Sequence, residues 1–350
     1  MAIGLGIVGS GYMGTTYSET ISRYVRGARL VAVTGGRRSA DLGRDFSVDT
    51  ASSPEELFAR ADIQAVILAT PDHSRRELTM AAAAAGKHVL AEKPMAPTVA
   101  DCDAMIAACQ AAGVHLAVVK TERYRKLALR TKKLIDDGAI GPVRMVRTVS
   151  SLPITVAREL LESRPWISHP TGGGLFLGMA THNTDFLRWI TGGNATKVFA
   201  EVHTYCDLPI PAMSVMAQIV FDNGSMGQLW VSSELPSPGV PSSEVRFQIV
   251  GRDGTLDLEN FEFLDQGKGE HWERISTPEQ LDDISAHRSP IRLFPHVGVV
   301  QDFVDSILEQ RPPAVTGLDG RAAVEICEAC LISARTGQAV DLPLTSPVIG

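Results

Sequence analysis

Ala2-Ile3-Gly4-Leu5-Gly6-Ile7-Val8-Gly9-Ser10-Gly11-Tyr12-Met13-Gly14 opens the chain. Ile3, Leu5, Ile7 and Val8 read as a short buried strand, and Gly9, Gly11 and Gly14 follow it with the spacing G-x-G-x-x-G. A helical pattern runs from Tyr12 to Val25, so the glycines fall on a strand-to-helix turn. There each glycine has a task. Gly9 permits the tight bend, Gly11 lets main chain approach a pyrophosphate, and Gly14 lets the helix pack closely on the strand. The helix N-terminus adds N–H groups that suit phosphate. Spacing alone is a weak signal; the strand before it and the helix after it point to a bound dinucleotide. Gly9, Ser10, Gly11, Tyr12 and Met13 are therefore the first candidate cofactor contacts.

Strand and helix alternate as far as about residue 120. Leu30–Val33, Ile63–Ala69, His88–Ala91 and Val114–Val119 read as strands, and Arg75–Ala85 and Asp101–Ala112 as helices ended by Gly86 and Gly113. This rhythm predicts a parallel, doubly wound sheet. The second strand runs into Thr34-Gly35-Gly36-Arg37-Arg38. A site built for NAD places an acid here for the adenine ribose hydroxyls, whereas a 2′-phosphate calls for arginine. No acid occurs before Asp41, and guanidinium forks match phosphate geometry. Gly35, Gly36, Arg37 and Arg38 therefore predict NADP as the cofactor, with NAD as the alternative.

Beyond residue 120 the character changes. Leu127–Asp137 reads as a helix stopped by Gly138, Val143–Ser150 as a strand followed by a proline-marked loop, and Phe176–Ile190 as a helix. Strand-like runs follow at Lys197–Cys206, Met213–Phe221, Ser225–Ser233, Glu244–Val250, Thr255–Leu258 and Phe261–Leu264. Turns such as Asp222-Asn223-Gly224 and Arg252-Asp253-Gly254 make them antiparallel meanders. Val297–Glu309 and Leu318–Thr336 close the chain as helices. The expected fold is α/β: a dinucleotide-binding domain over residues 1–122, then an α+β domain over 123–350 on a largely antiparallel sheet. The C-terminal segment of the second is free to pack back on the first.

The 350 residues are 44% hydrophobic and 21% charged, with a net charge of −7. A modestly acidic chain has no broad basic field for nucleic acid or anionic membrane. No apolar run approaches the roughly 18 residues needed to cross a bilayer. The first strand begins too early to leave room for a signal peptide, and five scattered cysteines suit a reducing compartment, so a cytoplasmic protein is expected. Cys327-x-x-Cys330 lies in an apolar helical stretch and reads as packing, and no metal site is expected.

Ligands of open α/β sheets bind beyond the carboxyl ends of the strands. Two such ends are loaded with polar groups, Thr70-Pro71-Asp72-His73 and Glu92-Lys93-Pro94. A lysine placed like Lys93 can give a proton to a carbonyl or hold a forming alkoxide. Desolvation, or a positive nicotinamide ring, would lower its pKa. A structural ion pair with Glu92 is the plainer reading. Lys120 likewise ends a strand and is either a cleft lysine or a surface one.

Together with the glycine turn, the stretches Ala69-Thr70-Pro71-Asp72-His73, Ala85-Gly86-Lys87-His88-Val89 and Glu92-Lys93-Pro94 resemble the Gfo/Idh/MocA family of NAD(P)-dependent sugar oxidoreductases. Gly172-Gly173-Gly174 before His182, and Ser333-Ala334-Arg335-Thr336-Gly337 with Leu342-Pro343, are similar too, so the resemblance covers nearly the whole chain. It implies a Rossmann domain followed by an open, largely antiparallel sheet often used for oligomerisation, hence a homodimer or homotetramer. It implies Lys93 as catalytic lysine, His182 as its histidine, and cofactor contacts at Thr70, Pro71, His73, Glu92 and Lys93. The family often carries Asp four residues before this histidine, where this chain has Gly178. Asp185, three residues after His182, shares its helical face and either orients the imidazole or pairs with Arg188 or solvent. Further candidates are Tyr124, where relatives have Arg-Phe facing the cleft, and Thr181 and Asn183 for substrate hydroxyls. Trp166 would cover the nicotinamide or stack on a sugar, or is a core residue. The resemblance implies oxidation or reduction of a secondary alcohol or ketone of a sugar, cyclitol or glycoside. A redox-neutral glycosidase and a non-catalytic cofactor or sugar sensor are the alternatives.

Overall fold

Ile3–Val8 forms β1, buried along nearly its whole length, and Tyr12–Arg23 forms α1 directly after the glycine turn. This opening belongs to a computed structural model that describes residues 2–240, 245–276 and 290–344. The chain continues through β2 (Ala28–Thr34), α2 (Ser39–Phe46), β3 (Asp49–Thr50), α3 (Pro54–Ala59), β4 (Ala65–Leu68), α4 (Arg75–Ala84), β5 (His88–Ala91), α5 (Val99–Ala111) and β6 (Leu116–Val118). Among the described residues the six strands form one parallel sheet in the order β3-β2-β1-β4-β5-β6. The order reverses at β1, the switch point at which such sheets bind ligands. Gly86 and Gly113 adopt φ of +72° and +66° where their helices end, the left-handed stop that a Cβ disfavours.

The second series runs α6 (Lys126–Asp136), β7 (Val143–Pro153), α7 (Ile154–Ser163), α8 (Gly174–Thr191), β8 (Ala195–His203), β9 (Ser214–Phe221), β10 (Met226–Leu235), β11 (Val245–Gly251), β12 (Thr255–Glu259), β13 (Phe263–Lys268) and β14 (His271–Ser276). α9 (Pro290–Leu308), α10 (Gly317–Thr336) and β15 (Val340–Asp341) finish it. Among the described residues a nine-stranded sheet has the order β14-β13-β12-β11-β7-β10-β9-β8-β15. Its neighbours are antiparallel except β7 and β10, which pair in parallel. α8 packs on β7 and β10 and sets Phe186 against Phe247, their ring centroids 4.2 Å apart.

The chain divides into two compact units. The first takes residues through Tyr124 together with α9 and the start of α10 up to Arg321; the second takes Arg125 through β14 and the chain from Ala322 onward. The core of the first joins Leu5, Ile7, Tyr17 and Ile21 to Val299, Val300, Phe303 and Val304 of α9.

Two expectations are corrected. The proline-marked loop after Ser150 is instead strand to Pro153 and then α7, because Pro153 stands at the N-cap of that helix, where a missing N–H costs nothing. The strand expected at Phe261–Leu264 is displaced to Phe263–Lys268, since Asn260 and Phe261 take positive φ in the turn. Glu244 lies outside the described residues.

Candidate active site

In the first unit the glycine turn is shaped by close contacts. Gly9 has φ +113°, and a Cβ there would lie 2.4 Å from the Ala69 carbonyl oxygen. A Cβ on Gly14 would lie 2.0 Å from the Gly9 carbonyl oxygen, so the helix sits where only glycine fits. Gly11 differs: a Cβ there meets nothing within 4 Å among the described residues. It is the cap of α1, makes no side-chain cap bond and precedes a first turn without acids. The two flanking glycines close the turn on the protein while Gly11 faces open space, with α1 offering its N–H groups there. A pyrophosphate needs that arrangement. Gly9, Ser10, Gly11, Tyr12 and Met13 therefore fit a dinucleotide.

The loop after β2 is folded onto this turn. Gly35 and Gly36 have φ of +76° and +78°, and a Cβ on Gly36 would come within 2.6 Å of Ser10 Oγ. That hydroxyl, on a side chain 2% exposed, accepts the Arg38 N–H at 3.0 Å. Arg37 and Arg38 are exposed beside it, and Thr34, which ends β2, spends its hydroxyl on the Ala51 carbonyl.

The two loaded strand ends are tied together by Arg75, which the motifs did not single out. Its guanidinium is buried, donates to the carbonyls of Glu92 (2.9 Å) and Pro94 through Nη1, and to that of Thr70 through Nη2. Burial lowers its pKa against the opposing charges of Glu92 and Asp72. Glu92 is 5% exposed; its Oε1 accepts from Tyr17 Oη and its Oε2 from the Lys93 N–H at 2.9 Å. Lys93 is half-buried. His73, after Pro71, donates its N–H to Asp72 Oδ1 at 2.9 Å. The first unit thus brings together Ser10, Gly36, Arg38, Thr70, Glu92 and Lys93. Tyr17 was missed because its partner lies 75 residues along the chain, and Arg75 because its partners are main-chain carbonyls that the turn brings around it. The available signal was chemical: a tyrosine inside a helix's buried face needs a partner for its hydroxyl.

Lys120 is 1% exposed, which corrects the surface reading of that residue. Tyr124 Oη donates to Asp302 of α9 at 3.2 Å, and its ring lies where a Cβ on Gly298 would stand. Tyr124 is thus held by packing in its own unit, and burial, then Asp302, raises its pKa.

In the second unit α8 presents His182, half-buried, among fully buried neighbours. Thr181 and Asn183, which flank it, are both buried: Thr181 Oγ1 donates to the Leu177 carbonyl at 2.7 Å, and Asn183 Nδ2 donates to Thr148 Oγ1 of β7 at 2.6 Å. Asp185 is 2% exposed, so it is no solvated acid, and the Arg188 guanidinium donates to Asn194 Oδ1 at 3.0 and 2.9 Å. Gly178, four residues before His182, is helical, and a Cβ there meets nothing within 4 Å among the described residues. Trp166, in a single 3-10 turn at Pro165–Ser168, is 40% exposed, which corrects its core reading.

Comparison with known proteins agrees with this geometry. A model of the Gfo/Idh/MocA oxidoreductase family, NAD-binding Rossmann fold, matches residues 3–120, and one of the Gfo/Idh/MocA C-terminal domain matches residues 128–257. The chain is 26% identical to a myo-inositol 2-dehydrogenase of Thermotoga maritima, over 97% of this chain and 98% of that one. It is similar to the crystal structure of an aldose-aldose oxidoreductase from Caulobacter crescentus complexed with glycerol, with a TM-score of 0.81, 25% identity and coverage of 98% and 100%. It shares the fold of a levoglucosan dehydrogenase in complex with NADH and levoglucosan, with a TM-score of 0.85, 23% identity and coverage of 98% and 100%.

Proposed function

This chain belongs to the Gfo/Idh/MocA oxidoreductase family, and on that premise we propose that it oxidises or reduces a secondary alcohol or ketone of a sugar, cyclitol or glycoside. The observation that carries this is the anchored Glu92-Lys93-Pro94 turn in the same unit as a glycine turn fitted to a dinucleotide. When bound, the nicotinamide supplies or accepts the hydride. Gly9 to Met13 would hold its pyrophosphate, and Thr70, Pro71, His73 and Glu92 line the adjoining strand ends. Arg37 and Arg38 favour the 2′-phosphate of NADP over NAD.

The chain's own groups handle the proton. Lys93 and His182 serve as acid–base and oxyanion-stabilising groups, one taking the hydroxyl proton and the other holding the developing charge. Asp185, buried one turn from His182 on α8, orients or polarises the imidazole. Trp166 offers an exposed ring for a nicotinamide or sugar face. The thermotogal inositol dehydrogenase, similar over nearly the full length, puts cyclitols first among substrates to try.

The exposed face of the second unit's sheet supports a homodimer or homotetramer. It carries Met145, Met216, Met226 and Phe199, all more than 40% exposed. The five cysteines, none in a disulfide, suit the cytoplasm.

The test is a screen of cyclitols, polyols and glycosides followed at the nicotinamide absorbance band with NAD and with NADP, repeated for Lys93→Met and His182→Ala. Turnover lost by roughly 10²–10⁴ in both variants at unchanged cofactor affinity is expected for positioned acids and bases. Full turnover in both would overturn the assignment.

A further inference from the structure

A flexible lysine stem leaves little for a fold to fix beyond its main-chain root. At Lys93 that root is fixed from both flanks. Arg75 holds the carbonyls of Glu92 and Pro94, and the Glu92 carboxylate holds the Lys93 N–H at 2.9 Å. The remaining oxygen of that carboxylate is held from α1, the helix that begins at the glycine turn, by Tyr17 Oη. The geometry points to Tyr17 as a positioning residue for Lys93, acting through Glu92; this rests on the assignment of Lys93 above.

Tyr17 is completely buried in the core of the first unit, with the His296 ring edge-on at 5.7 Å. Burial first, then the charge of Glu92, raises its pKa well above the usual phenol value, against a lowering by Arg75. The phenol therefore stays protonated at working pH and donates. Glu92 is 5% exposed, and a buried carboxylate oxygen without a donor costs far more than its hydrogen bond contributes. Removal of the Tyr17 hydroxyl leaves Glu92 Oε1 short of that donor. The carboxylate then turns toward other donors, and the Lys93 N–H loses its fixed acceptor. Core filling is a separate role, and the ring alone performs it: Tyr17→Phe keeps the ring and removes only the atom that reaches Glu92. α1 therefore serves two ends of the reaction, cofactor phosphates at its start and the lysine through Tyr17.

Two measurements test this. In the first, Tyr17→Phe, Glu92→Gln and the double variant are compared in kcat, KM and cofactor Kd, using the substrate returned by the screen. Tyr17→Phe should lose about tenfold in kcat, as small misplacements of catalytic groups do, with KM and cofactor Kd close to the parent and Tm lowered by the carboxylate oxygen left short of a donor. The double variant should be no slower than Glu92→Gln alone. In the second, which needs no substrate, the rate of reductive methylation of each lysine is read by peptide mass spectrometry. Lys93 should change several-fold in Tyr17→Phe while Lys87 and Lys120 do not. Unchanged kcat and Lys93 labelling, losses that multiply in the double variant, or a loss confined to cofactor affinity would each overturn the inference. Lys93→Met separates the two claims. If it retains turnover, the assignment of Lys93 fails; if it loses turnover while Tyr17→Phe does not, only the role of Tyr17 fails.

Discussion

Gly178 is an expensive residue for the inside of a helix, costing about 1 kcal/mol against alanine. Gly9, Gly14 and Gly36 hold contacts that exclude a Cβ, whereas a Cβ at Gly178 would meet nothing within 4 Å among the described residues. Gly178→Ala should therefore raise Tm by roughly 2–4 °C, read by calorimetry. Gly178→Asp places a carboxylate one helical turn before His182 on the same face. An opposite charge favours imidazolium and raises the His182 pKa. If His182 must be neutral to take the proton, the acid limb of the kcat/KM profile then moves to higher pH. A profile that does not move would show that this face of α8 does not serve the histidine. At this scale the sequence was legible where a motif marks a main-chain requirement, as at Gly9, Gly14 and the Glu92-Lys93-Pro94 turn. It was not legible where a polar side chain closes on a distant partner. Asn183 meets Thr148, and Tyr17 meets Glu92, only once the fold exists.

In the reading proposed above, the loop between β2 and α2 carries the cofactor choice. Ser10 Oγ accepts the main-chain N–H of Arg38, so the loop keeps its seat when the arginine side chains are removed. Arg37→Ala with Arg38→Ala should weaken NADP by about 1–3 kcal/mol, the range for charge-assisted bonds, and leave NAD unchanged. Titration of cofactor fluorescence checks this; equal losses, or a preference of the parent for NAD, would sink it. β5 gives a second prediction at its far end. Burial, and behind it the charge of His115, lowers the His88 pKa to about 4. His88 Nδ1 accepts the His115 N–H at 3.0 Å, which requires it unprotonated. An unfolded histidine titrates near 6.5, so as pH falls the unfolded chain takes the proton first. Stability from this group is complete above about pH 6.5 and lost between there and about pH 4. After discounting for half-exposure the loss is about 1–2 kcal/mol. The urea midpoint should fall less between pH 7 and 4.5 in His88→Gln than in the parent; an identical fall would refute it. Most strands and the long helices of this chain were legible because their periodicity is local, whereas β3, β14 and β15 were not. α3 was missed although Ser53-Pro54-Glu55-Glu56 carries a cap, a first-turn proline and two acids. α7 was missed because a proline before a helix looks like one that breaks it.

At the scale of the molecule, local pattern does not say which unit an element joins. α9 was legible as a helix, yet its Val299, Val300, Phe303 and Val304 are buried with Leu5 and Tyr17 near the start of the chain. Partnership across nearly the whole sequence leaves no periodic trace. The sheet of the second unit poses the same question outward. Its register sets Met145 beside Met226, Met226 beside Val220, and Met216 beside Trp230 and Glu201, all on one face. The opposite face, with Val146, Leu229, Ala217 and Phe247, is buried. A face that mixes methionines and aromatics with Gln218, Gln228 and Arg147 has the composition of an interface, apolar at its centre without being greasy throughout. In a two-fold dimer every substitution appears twice, once on each copy. Met216 is 55% exposed in the single chain and lies on β9, an interior strand of the sheet, so Met216→Glu would bury two unpaired carboxylates in such an interface. Removal of a charge from water without a partner costs several kcal/mol, enough to raise the dimer dissociation constant by more than tenfold. Sedimentation velocity should therefore show the parent as a dimer or tetramer and Met216→Glu as a smaller species, with the circular dichroism of both alike. A parent that sediments as a monomer, or a variant with the parent's mass at every concentration, would remove this face from the assembly.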